Sequence, residues 1–161
     1  MNDFSDLFYT IFSIVIFSFL LLQANSLMLR NDTVMVDHEY EKTAIALAQS
    51  IIEEAKTLDF DVNMSPNDIP GDFEESGNFG NHNLDREEFT AFHHFHGHNE
   101  TIPTQLGNYV INVTVEYVDS NPPFGPIGGT STSKRMTVTA SSVANDDFAT
   151  LVYIKSFFVL P

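Results

Sequence analysis

Apolar and polar residues follow three different rules along this chain. Residues 7–22, LFYTIFSIVIFSFLLL, carry no charge. Gln23, Ala24, Asn25 and Ser26 add no charge, and Leu27, Met28 and Leu29 extend the run. That stretch is long enough for a helix crossing a hydrocarbon core of ~30 Å. Beyond Arg30 the rule changes. Val36, Tyr40, Ala44, Leu47, Ile51, Ala55 and Leu58 recur every three or four residues, a single apolar stripe on an amphipathic helix. Asp37, Glu39, Glu41, Lys42, Gln49, Glu53, Glu54 and Lys56 fall on its wet face. No Gly or Pro occurs from Met1 to Ser65, so nothing obliges the helix to stop between the two patterns. Asn31, Asp32 and Thr33, whose side chains compete for backbone hydrogen bonds, are its weakest point.

The third rule is alternation. Residues 60–107 are rich in Asn, Asp, Gly, Pro and His and show little periodicity, which predicts an irregular connection with short elements at most. Residues 109–118, YVINVTVEYV, read as a strand, as do 134–141, KRMTVTAS, and 149–159, ATLVYIKSFFV. Residues 120–133 hold three Pro and three Gly and read as a turn-rich link. The expected fold is α+β: a long N-terminal helix, apolar in its first half, packed by its distal half on a small antiparallel sheet. The division falls at a membrane-inserting segment 1–33 and a head 34–161. Within the head, the helix continues over 34–59, the connection over 60–107 and a β-meander over 108–161.

Charge and composition narrow the function. There are 22 acidic and seven basic side chains, a formal net charge of −15, so a nucleic-acid partner is disfavoured by repulsion of phosphate. Cysteine is absent, which excludes disulfides, thiol catalysis and iron–sulfur clusters. No nucleophile elbow, phosphate loop or HExxH spacing occurs, so a non-enzymatic role is expected. The residues before the apolar run include Asp3 and Asp6 but no Lys or Arg, unlike the basic start of a secretory signal.

The apolar block 7–22, its continuation through AIALAQSIIEEA at 44–55, and the paired segments 134–140 and 150–153 together resemble type IV pilins and the related type II secretion pseudopilins. The likeness is architectural and covers most of the chain. It implies a structural subunit of an extracellular, fimbrial filament with adhesive surroundings, built as a helical homopolymer. Before assembly the chain would sit in the inner membrane and meet a pilus assembly machinery. The family's basic leader and glycine-containing cleavage site are not in the sequence, so the resemblance implies a processed chain. It also implies a carboxylate near the N-terminus that pairs with a neighbour's terminal ammonium and sets axial register. Asp6 is the first candidate and Asp3 the second, although both stand before the apolar block rather than within it, and a helix N-terminus favours acids in any case. Phe8, Phe12, Ile14, Phe17, Leu20 and Leu21 are the expected assembly contacts. The alternative is a minor pseudopilin, or a membrane-anchored surface binding protein that does not polymerise alone.

Three further patterns carry candidate chemistry. His93, His94, His96 and His98, with His82 nearby, are dense enough in imidazole to attract zinc, copper or nickel. Contiguous histidines cannot all reach one ion, and a pH-responsive polar loop is the competing reading. No other cofactor is implied. Asp59, Asp61, Asn63 and Ser65 alternate like the oxygens of a calcium loop, without its glycine at the sixth position or its glutamate at the twelfth. Asn-x-Ser/Thr sequons begin at Asn31, Asn63, Asn99 and Asn112, and count as glycosylation candidates in a host with the machinery.

Overall fold

A computed structural model describes residues 3–62, 73–80, 84–144 and 147–157, with side chains throughout these ranges except at 3 and 30–37. The fold is α+β, a helix and a four-stranded antiparallel sheet. Helix α1 spans Asp3–Thr57, and by its contacts the chain divides into Met1–Glu39 and Tyr40–Pro161.

In the first unit, Phe4–Leu29 is a helix long and apolar enough to cross a membrane. Its large hydrophobic side chains are 44% to 83% exposed. Its polar residues are partly self-sufficient. The Thr10 hydroxyl donates to the Asp6 carbonyl and the Ser13 hydroxyl to the Tyr9 carbonyl, both at 2.8 Å. Such back-bonding satisfies a hydroxyl without water, as an apolar surrounding demands.

The second unit is built around the distal part of α1. Ala44, Ala48, Ile51, Ile52 and Ala55 are buried, at spacings that keep them on one face of the helix. They join one cluster with Tyr109, Ile111, Val113, Val115, Tyr117, Met136, Val138 and Ala140 from the sheet. Three alanines on the helix face leave room for close approach. Tyr40, Leu47 and Leu58 flank the cluster, while Val36 lies outside the described side chains. The helix ends at Thr57, where the Lys155 ammonium donates to the carbonyls of Lys56 and Leu58. A cation there meets carbonyls that have no helical partner.

The strands are β1 (Asn99–Thr104), β2 (Gly107–Tyr117), β3 (Ser133–Ser142) and β4 (Phe148–Ser156), and they pair in chain order. The meander is therefore one strand larger than the sequence pattern predicts. β1, with sequence NETIPT, breaks the assumption of an irregular connection over 60–107; three short 3₁₀ helices, Ser76–Asn78, Arg86–Glu88 and Phe92–Phe95, lie in the same segment. β1 has no fully buried residue and contains Pro103, which an edge strand tolerates and a central one does not. β2 and β3 are central, and their burial alternates because one face of the sheet packs on the core and the other faces outward. Register places Val113 opposite Val138 and Val115 opposite Met136 on the inner face, with Thr114 opposite Thr137 outside.

Candidate functional site

Two of the sites expected from the sequence lie largely among the described residues. The first is the apolar helix segment. Phe8, Phe12, Ile14, Phe17, Leu20 and Leu21 are all exposed, each at least 55%. Large apolar side chains exposed on every face of a helix need a lipid or protein environment. Asp6 is exposed in the early turns of the same helix. Asp3 opens the helix, and its side chain lies outside the described residues.

The second place is the histidine segment, whose side chains the structure separates. Residues Phe92–Phe95 form a 3₁₀ helix, so successive side chains point about a third of a turn apart. His93 is fully buried and its Nδ1 lies 3.2 Å from the Lys134 ammonium. His94 is also buried, and its Nδ1 accepts from the Thr90 backbone N–H at 3.3 Å. His96 Nδ1 accepts from the Val115 N–H at 3.0 Å, and His98 Nε2 lies 3.4 Å from the Glu100 carboxylate. Among the described residues no group of three or more His, Cys, Asp or Glu is arranged to hold a metal ion. His82 lies outside them. Close approach also fixes this segment: a Cβ on Gly80 would sit 2.1 Å from the His96 carbonyl oxygen, and the φ of Gly80 is +72°. Only glycine fits there.

Two positions of the calcium-loop pattern are described, Asp59 and Asp61. Asp59 pairs through its backbone with Thr90 and Phe92, and Asp61 is turned inward, 1% exposed. Asn63 and Ser65 lie outside the described residues. Of the four sequons, Asn99 and Asn112 are exposed on the outer face, the Asn63 site is outside the described residues, and Asn31 is in α1 with its side chain undescribed.

What the sequence reading missed is the cluster that Asp61 turns toward. Lys134 is fully buried, and its ammonium lies 2.7 Å from Asp61 Oδ2 and 2.7 Å from the Phe60 carbonyl oxygen. The Phe60, Phe79 and Tyr117 rings lie around it at 4.4, 5.1 and 5.1 Å. The Tyr117 hydroxyl donates to the Glu74 carbonyl at 2.8 Å and faces Asp61 Oδ2 at 3.5 Å. Burial, opposed by Asp61, lowers the Lys134 ammonium to about 8. Burial and the nearby Asp61 charge push the Tyr117 phenol well above its usual value. A signal for Lys134 was present in the sequence: it stands in phase with Met136, Val138 and Ala140, the inward positions of β3. Nearer the surface, the Arg86 guanidinium bridges Glu54 of α1 and Glu100 of β1.

Comparison with known protein families, with curated proteins and with solved structures finds no match.

Proposed function

We propose that this chain is a non-catalytic, pilin-like subunit of an extracellular filament, assembled through its hydrophobic N-terminal helix. One observation carries the reading. The segment Phe4–Leu29 is exposed and apolar on every face, and the helix that contains it also supplies Ala44, Ala48, Ile51 and Ala55 to the head's core. A membrane anchor alone has no need to be continuous with the core helix of the domain it carries.

Before assembly, residues 4–29 lie in the inner membrane beside an assembly machinery. On assembly they exchange lipid for neighbouring copies of themselves, and because lipid is already apolar, packing and electrostatics must drive the exchange. Asp6 is the candidate for pairing with a neighbour's terminal ammonium, since a carboxylate in an apolar bundle is costly unless paired. Asp3 is the second candidate. The net charge of −15 keeps the solvent-facing heads of adjacent filaments apart.

Negative-stain microscopy of surface material from cells expressing the chain tests this. Uniform fibres composed of this chain are expected, and Ile14→Asp is expected to abolish them while the head's circular dichroism is kept. Abundant fibres from Ile14→Asp would overturn the reading. Wild-type cells that hold the chain in the membrane without any fibre would favour a minor pseudopilin or an anchored binding protein.

A further inference from the structure

The buried cluster in the head has a geometry that a plain ion pair does not need. Lys134, Asp61 and His93 are 0%, 1% and 0% exposed. His93 Nδ1 lies within reach of both partners, 3.2 Å from Lys134 Nζ and 3.8 Å from Asp61 Oδ2. The Glu74 backbone N–H donates to the carboxylate, 3.3 Å from Oδ1 and 3.2 Å from Oδ2. An amine, a carboxyl group, a proton carrier and an oxyanion donor thus meet in one apolar pocket walled by Phe60, Phe79 and Tyr117.

We propose that Lys134 and Asp61 condense into an intramolecular amide, with His93 carrying the proton between them. The ion pair first passes its proton from ammonium to carboxylate. Burial favours these neutral forms, because each unpaired charge would be costly in such surroundings. The Nζ lone pair then attacks Asp61 Cγ, forming the C–N bond as the carbonyl π pair moves to Oδ1. The Glu74 N–H holds the resulting oxyanion. His93 Nδ1 takes a proton from the nitrogen and returns it to the Oδ2 hydroxyl, which leaves as water when the carbonyl re-forms. One ammonium and one carboxylate become one neutral amide and one water, with no oxidant or co-reactant.

Two physical arguments favour the forward direction. Fixed contact replaces a bimolecular encounter, which contributes effective concentrations far above any in solution. The product also removes two charges from an interior where a buried pair is at best marginally stabilising. The amide would join β3 to the segment just after α1, closing a loop from 61 to 134 in a chain without cysteine. It would brace the head much as a disulfide does, by limiting the unfolded chain. This inference stands whether or not the chain polymerises.

The full-length chain, purified in detergent and held at about pH 8, is weighed intact and digested with trypsin. The expected mass is that of the sequence less one water. Digestion should join peptide 57–86 to 87–135, with no cleavage after Lys134. Lys134→Arg should return the full sequence mass. His93→Phe keeps a ring stacked on Phe79, whose centroid lies 4.8 Å away, and should slow condensation about 100-fold. A folded wild-type chain that keeps its full mass and yields separate peptides after prolonged incubation overturns the proposal. Equal rates for wild type and His93→Phe overturn the assignment of His93.

Discussion

Asn99 and Asn112 stand opposite each other in the β1–β2 register, and the Asn99 amide donates to the Asn112 side-chain oxygen at 2.5 Å. Each begins an Asn-x-Thr sequon, and both are exposed. Opposed residues in an antiparallel pair have Cβ atoms only ~5 Å apart, too close for two branched glycans. In a host that glycosylates such sequons, each molecule should carry a glycan at Asn99 or at Asn112 but not at both. Intact-mass and glycopeptide measurements check this, and a doubly modified species would contradict it.

The core predicts a graded cost for trimming the helix. Ile51 is fully buried in the cluster shared by α1 and the sheet. Ile51→Ala should destabilise the head by about 2–5 kcal/mol. Leu47 is only partly buried, so Leu47→Ala should cost clearly less. Urea unfolding of the full chain in detergent, followed by circular dichroism, measures both.

Lys155 acts at the end of α1 by donating to the carbonyls of Lys56 and Leu58. Removing the charge while keeping the stem, Lys155→Met, should cost about 1 kcal/mol. Amide exchange should rise first in the last turn of the helix, before it rises in β2 or β3.

Alkaline titration should separate the tyrosines. The chain has five, and burial raises the phenols of Tyr109 and Tyr117 above the usual value of 10.0. A raised folded-state value contributes stability that is complete below pH 10 and lost as pH climbs toward the folded-state value, because the unfolded chain ionises first. Ultraviolet absorbance should therefore show two phenols that ionise late, together with unfolding. Tyr117→Phe should lessen the alkaline loss of stability.

Acid acts through a different group. Burial works against the Glu100 carboxylate, but hydrogen bonds from Arg86 and His98 hold it below the usual carboxylate value. A lowered value contributes stability that is present above the unfolded value of 4.5 and lost as pH falls through the folded one. Glu100→Gln should flatten that part of the acid limb in a pH series of thermal melts. Because the pair is partly exposed, high salt should flatten it too.

The periodic elements were legible and the singular ones were not. Ala44, Ile51 and Ala55 repeat at helical spacing, and β2 to β4 alternate or run apolar, so local pattern located them. β1 escaped because Pro103 and the polar Asn99, Glu100 and Thr101 give an edge strand no apolar signature. Adjacency of the four histidines in sequence is not convergence in space: a 3₁₀ turn sends His93 inward to Lys134 and His94 toward Thr90. Asp61 read as a solvated oxygen ligand, because its partner lies 73 residues further along the chain and no local rule connects them.

Because the strands pair in chain order, every strand of the sheet lies beside its neighbour in sequence. Each hairpin closes over a short stretch of chain, which keeps the search for register brief. The α1 face and Asp61 must come to β2 and β3 from much farther away in sequence. Folding of the head should thus finish at the Asp61–Lys134 contact, making that pair a timekeeper: its formation marks a head whose other parts are already in place.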